Sequence, residues 1–268
     1  MNTPNPTRPQ TLSHYIELRD AAAARTQKLC TDQPQQAAVR TALLRAEKQV
    51  HQEHGWDGPP KVFFLQQHAK TGRIRYTEFE KFSLMLVALP GRPTDILAKL
   101  ASVTEFTRAQ AHVAEDELDP LMRDLPPEFH AMMERARRNP DADLFDCSGE
   151  HWHFHGVGVI IEAWMVLDPS PETQTMAHNR QLHTHPERIE IRELYYAARD
   201  GWMWDLTRLR RTPTIAVPRH CVVLHHDNDH RVVGTVPHAL TRMCNAISSN
   251  PVRIAPATHP RTPVTPRQ

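Results

Sequence analysis

Residues 151–167, HWHFHGVGVIIEAWMVL, constrain the fold more than any other stretch of the chain. Val157, Val159, Ile160 and Ile161 stand at its centre, and β-branched side chains pack well on a pleated, half-buried surface. The stretch therefore reads as one long strand, with Gly156 and Gly158 inside it. Its apolar part is too short to cross a bilayer and carries Glu162, so no membrane association follows from it. Alternate residues of a strand share a face at roughly 6.5–7 Å spacing. His151, His153 and His155 would thus line one face together with Val157, Val159 and Ile161, while Trp152 and Phe154 turn into a core. Glu162 falls on the tryptophan side unless one of the glycines introduces a bulge.

The rest of the chain arranges itself around that strand. IEIRELYYAARDGWMWDLTRL, residues 189–209, reads as a hairpin turning at Arg199, Asp200 and Gly201, and TIAVPRHCVVLHH, residues 214–226, as further strand. HHDNDH, residues 225–230, has the composition of a polar hairpin loop. Pro237 suits the first turn of a closing helix over 236–248. Upstream, 11–30 and 34–53 are Ala-rich and helical, KVFFLQQ (61–67) and RIRYTEF (73–79) are strand-like, and FSLMLVAL (82–89) has the length of a buried strand. Thr94 or Asp95 is placed to cap the helix that follows, and 108–138 is helical and acidic with a break at DLPP. The outline is α+β: an antiparallel meander in the C-terminal half, an N-terminal helical region and a closing C-terminal helix. Residues 11–250 are expected to form one domain, with a sub-boundary near 140–150. Residues 1–10 and the Pro/Thr-rich tail 251–268 lack large apolar groups and are expected to be disordered.

A chain of 268 residues with 40% apolar side chains can bury a sizeable core. The first ten residues lack the basic-then-apolar pattern of a secretory signal, which leads to the expectation of a cytoplasmic protein. Four cysteines without a CxxC pair argue against a zinc ribbon and a disulfide scaffold, and GxGxxG, GxxxxGK[ST], HExxH and GxSxG are all absent. Charge is uneven. Residues 105–150 hold 12 acidic against 5 basic side chains, whereas 199–268 hold 10 arginines against 4 aspartates. The two segments are expected to attract each other within the fold, an anionic partner being the other reading.

Eighteen histidines raise the question of a metal. His151, His153 and His155 could present three imidazoles to zinc, and His183 and His185 would join them if the two strands were neighbours in register. HTHP, residues 183–186, resembles the His-x-His-Pro of JAMM-type zinc isopeptidases. That pattern continues with a serine seven residues after the proline and an aspartate three further on. Glu193 and Tyr196 stand at those positions here, so the likeness stops at four residues, and Glu187 or Glu190 would have to supply the missing ligand. RLRR, residues 208–211, adjoins Trp202 and Trp204, and arginines beside stackable rings are what a single-strand nucleic-acid surface uses. The alternative is that Trp202, Trp204 and Leu206 are the buried face of a strand whose arginines solvate its end.

GVGVIIEAWMVLDP, RQLHTHPERIEIRELYYAARDGWMWDLTRLRR and GTVPHALTRM, within 156–243, together with HGWDGPPKVFFL at 54–65, resemble a group of uncharacterised actinobacterial hypothetical proteins. The matching residues are Glu162, Trp164, Met165 and Val166, then His185, Pro186, Arg188, Glu190 and Arg192, then Asp200 and Gly201. The resemblance carries no established activity. It implies that only the later histidine of HTHP belongs to a shared pattern.

Three functions are carried forward from the residues. The first is a non-enzymatic accessory or protein-interaction module without a cofactor, touching a protein partner through its antiparallel sheet. The second is a metal-dependent hydrolase with zinc on His151, His153, His155, His183 and His185. The third binds nucleic acid through Arg208, Arg210 and Arg211.

Overall fold

A computed structural model describes residues 12–113, 125–145, 151–167, 170–179, 181–210, 222–226 and 234–248. Both termini, Cys147, Arg211, Cys221 and the HHDNDH segment beyond His226 lie outside the described residues, as does most of the acidic stretch after α4. The elements run α1 (Leu12–Asp32), α2 (Pro34–His54), β1 (Lys61–His68), β2 (Ile74–Glu78), α3 (Glu80–Ala88), α4 (Pro93–Gln110), α5 (Pro127–Arg138), β3 (Trp152–Met165), α6 (Pro171–His178), a 3-10 turn (Leu182–Thr184), β4 (Ile189–Ala198), β5 (Met203–Leu209), β6 (Val222–His226) and α7 (Thr235–Ile247). The fold is α+β. Its strands form one antiparallel sheet in the order β2-β1-β3-β4-β5-β6, with the long β3 in the middle. The sheet runs across the segment where a sub-boundary was expected, because β1 pairs directly with β3.

Both faces of the sheet carry helices, which corrects the expectation that the sheet itself is a contact surface. On one face Val62, Phe64, Phe154, Val157 and Val159 pack against Phe82 and Leu86 of α3, Leu97 and Leu100 of α4, Phe129 and Met132 of α5, and Leu240 and Met243 of α7. On the other, Phe63, Leu65, Ile160, Leu194, Tyr196, Trp204 and Leu206 pack against Val39, Leu43 and Val50 of α2 and Cys30 of α1. The strand residues of these two sets alternate along β1, and in β5 Trp204 and Leu206 share the second face while Met203 packs against the first, as the two-residue period requires. Trp204 and Leu206 are thus the buried face of β5.

FSLMLVAL is a helix, not a strand. Phe82 and Leu86 are buried one turn apart while Leu84 and Val87 are 62% and 59% exposed. Leu, Met and Ala are strong helix formers, Val87 is the run's one β-branched residue, and a short continuous apolar run has no period of its own to reveal this. The helix after it starts two or three residues earlier than a cap at Thr94 or Asp95 suggested. Pro93 opens α4 with Arg92 at the cap position and no side-chain cap bond, so the fixed proline φ sets the start. Cys30 and Cys244 are buried free thiols.

The decisive local feature is a bulge in β3. Leu65 pairs with Gly156 but Gln66 pairs with Phe154, so His155 is the extra residue. Phe154 and Val157 consequently share one face, and the parity inferred for the histidines does not hold across the bulge. Gly156 and Gly158 then lie on the α2 face, where they leave room for rings. A Cβ on Gly156 would stand 2.4 Å from the Tyr196 hydroxyl oxygen, and one on Gly158 would stand 2.3 Å from Phe63. Phe63, Tyr196 and His155 stack over this strip with centroid spacings of 6.1 Å at each step.

Candidate functional site

The five histidines do not form one group. His151 is exposed at a left-handed turn position (φ 73°) with its ring 5.9 Å from that of His68, His153 is exposed, and His155 is buried. His183 and His185 lie in the turn leading to β4, whose first residue pairs with Met165 at the far end of β3. About ten residues of strand, roughly 33 Å, separate the two clusters. The zinc set is thereby split by the length of the very strand that suggested it. His185 Nδ1 accepts the Glu187 backbone N–H at 3.1 Å and Thr184 Oγ1 donates to the Gln181 carbonyl at 2.7 Å, so HTHP closes a turn.

At that far end of β3 stands an arginine–carboxylate network. Arg192 of β4 is 1% exposed; its Nη2 donates to Glu162 Oε1 at 2.6 Å and to the Gly55 carbonyl, and its Nη1 lies 3.7 Å from Glu47 Oε1 of α2. Arg208 of β5 clasps both oxygens of the same buried Glu47. Arg210 donates to Glu190 at 2.6 Å and to Asp57 at 3.0 Å, and Trp56 lies flat beneath Arg192 and Arg210 at 4.9 and 5.5 Å. Among the described residues, the three-carboxylate group with ligand atoms within 4.8 Å of one another is Asp57, Glu162 and Glu190. Guanidinium groups are already paired with all three, Arg192 with Glu162 and Arg210 with Asp57 and Glu190. Burial together with Arg208 and Arg192 pushes the adjoining His51 below its usual pKa, which keeps it neutral. Two of the three arginines put forward for nucleic acid are therefore bound to carboxylates of the fold, and Arg211 lies outside the described residues. Their partners are Glu47, Asp57 and Glu190, not the acidic 105–150 segment, whose described link to the basic C-terminal part is Arg242 on Glu105 at 2.9 Å.

The other end of β3 opens on a cleft of about 680 Å³. Gln35 of α2, Gln67 of β1, Arg135 of α5, Asp141 and Asp143 of the following loop, His153 and His155 of β3, and Arg199 and Asp200 of the β4–β5 turn contribute its polar wall. Backbone bonds hold that wall in place. Arg135 Nε donates to the Asp143 carbonyl at 2.9 Å, the Asp143 carboxylate accepts the Phe154 N–H at 3.2 Å, and the Leu144 N–H reaches the Ile247 carbonyl at the end of α7 at 2.9 Å. Arg199 donates from Nη1 to the Phe154 carbonyl at 3.2 Å, and its own N–H reaches the His155 carbonyl at 2.8 Å. No carboxylate within the described residues pairs with Arg199.

His155 is 1% exposed, and its Nδ1 lies 2.6 Å from the Tyr196 hydroxyl. Its Nε2 is buried without a hydrogen-bond partner. Burial holds the imidazole below its usual pKa, Asp200 opposing and Arg199 reinforcing the shift, and burial raises Tyr196 well above the usual phenol range. Both groups are neutral near pH 7. If the phenol donates to Nδ1, the one orphan is the Nε2–H; the reverse leaves both the Nε2 lone pair and the phenolic hydrogen unsatisfied. The first arrangement costs less. Sequence parity missed this site because the bulge reverses it, although the G-x-G beside His155 was the available signal for crowding. No family model, curated protein or solved structure matches the chain.

Proposed function

We propose that this protein is a non-enzymatic accessory module that works by binding, and that its binding site is the cleft at the His155 end of β3. The observation carrying this reading is Arg199, which has no carboxylate partner among the described residues, on the wall of a polar cleft of about 680 Å³. The cleft wall has donors and carboxylates but no Ser, Thr, Cys or Lys among its described residues, which favours capture over covalent chemistry. A zinc hydrolase has less support, since the histidines lie at opposite ends of β3 and the carboxylate trio is already occupied by arginines.

The test is a thermal-shift screen of the full chain against small polar compounds, followed by titration of the Trp152 fluorescence at the cleft wall. Saturable stabilisation that is lost in Arg199→Gln supports the reading; at a hundred times Kd a ligand adds about 2.7 kcal/mol. Compounds recovered chemically altered, or stabilisation that Arg199→Gln leaves unchanged, overturn it. The apolar side of α3, with Leu84, Val87 and Leu89 exposed, is the surface open to a protein partner. Val87→Glu alters that surface while leaving the cleft alone, so it serves as the control.

A further inference from the structure

FSLMLVAL, residues 82–89, is apolar almost all round, a composition that normally goes with a helix buried on every side. Only one side of α3 is covered by the fold. Phe82, Ser83 and Leu86 are buried, and Ser83 Oγ accepts the Val62 N–H at 2.9 Å, which seats the helix on β1. On the side turned away from that seat, Leu84 and Val87 are exposed, and Leu89 is exposed just past the helix end. The other exposed large hydrophobics among the described residues, Leu18 of α1 and Trp164 of β3, belong to two different elements. Single exposed apolar side chains are ordinary, whereas a contiguous group of them marks a contact surface.

Charge brackets this patch. Glu80, Leu84 and Val87 follow one another at spacings of four and three, so they form one stripe along the outer side of α3. Arg92 stands four residues past Ala88, the last residue of the helix, after Leu89, Pro90 and Gly91. Glu80 and Arg92 are both exposed, and neither side chain has a partner among the described residues. Lys81, next to Glu80, is by contrast already on Glu128 at 3.1 Å. An acidic end, an apolar middle and a basic end complement themselves when two copies meet antiparallel. A two-fold axis through the middle of α3 sets Leu84 against the other copy's Val87 and Glu80 against its Arg92, and each pair occurs twice. A parallel meeting would set Glu80 against Glu80. The antiparallel one also brings the positive N-terminal end of each helix toward the C-terminal end of the other.

We infer that the outer side of α3 is a contact between two copies of this chain, with Leu84 and Val87 at its centre and a Glu80–Arg92 ion pair at each rim. A nine-residue helix is about 13.5 Å long, so the contact belongs to the small size class and the dimer is a reversible one, formed and lost with concentration. The cleft takes no part in it, and the two readings stand or fall separately.

The experiment is sedimentation equilibrium of the full, tag-free chain at low ionic strength, from about 1 μM to about 1 mM. The expected result is a monomer–dimer equilibrium. Val87→Glu, which puts two carboxylates into the apolar centre, should give a monomer with an unchanged circular dichroism spectrum. Should that variant fail to fold, Leu84→Gln takes its place and should weaken the dimer. Glu80→Arg and Arg92→Glu should each weaken self-association at least about tenfold, because each reversal turns both attractive pairs into repulsive ones. Mixed in equal amounts, those two variants should associate as the wild type does, since each then supplies the charge that the other needs. A monomer throughout the concentration range, a dimer indifferent to Val87→Glu and Leu84→Gln, or a mixture that associates no better than its separate components overturns the assignment.

Discussion

The two ends of β3 are built from the same kinds of residue and reach opposite outcomes. At the Glu162 end, Arg192, Arg208 and Arg210 each meet a carboxylate of the fold, with Trp56 closing over two of them. At the His155 end, Arg199 is held only by carbonyl contact and the imidazole keeps an unsatisfied nitrogen. The first is an electrostatic clamp joining α2 to β3, β4 and β5. The second has polar capacity that the fold does not use. Charge by itself therefore separates nothing here; what separates structure from site is whether the neighbouring element brings the counter-group.

The sharpest way to break this comparison is to remove Arg192. Arg192→Met leaves Glu47 and Glu162 facing each other's side of a buried network, and losing one partner of such a pair costs about 3–5 kcal/mol. Urea unfolding should show a much lower midpoint than for Arg199→Gln, which lies at the open end and should fold as the wild type does. Equal losses would remove the distinction between clamp and cleft. Next in size is Gly156→Ala, where the new methyl group would stand 2.3 Å from the Ala197 carbonyl oxygen and 2.4 Å from the Tyr196 hydroxyl. Overpacking of this kind costs about 1–3 kcal/mol. Because the strain falls on Tyr196, the variant should also lose cleft binding, read by the same titration used for the wild type.

How much of this was legible depends on where the period of the sequence stayed intact. The hairpin at Arg199–Gly201, the core face Trp204 and Leu206, and the closing helix followed from alternation and turn chemistry. FSLMLVAL failed because an unbroken apolar run fits a helix or a strand equally well, and only the burial of Phe82 and Leu86 on one side decides. The histidine cluster failed for a different reason. One extra residue at His155 moves every later side chain to the opposite face, and the rings packed over the two glycines beside it, Phe63 and Tyr196, stand 92 and 41 positions away in the sequence. The buried Glu47, partner to two arginines, sits in an Ala-rich helix with no local mark of its importance.

A smaller effect separates the two ends by their response to pH. The His155 pKa is lowered in the folded chain, so below about 6.5 the unfolded chain binds a proton that the folded one refuses. Stability is then fully present above about pH 6.5 and falls as pH drops from there toward the folded pKa, by at most about 1.4 kcal/mol per pH unit for a single group. His51 in the clamp shifts in the same direction, and Glu193, raised by burial, works in the opposite one. The difference between wild type and His155→Phe across pH 5–8 isolates the cleft contribution. The wild type should lose more stability on acidification than the variant, and parallel curves would mean that His155 is not held neutral.

The smallest effect is expected from Arg210→Ala. Arg210 spans Asp57 and Glu190 at the exposed rim of the clamp, where water screens the pair and ordering the side chains offsets the attraction. The urea midpoint should move barely beyond measurement error, in contrast to Arg192→Met two strand positions earlier in space. A large loss from Arg210→Ala would place the weight of the clamp at its rim and not at the buried Glu47. The carboxylate trio it covers would then be the part of the network on which the fold depends.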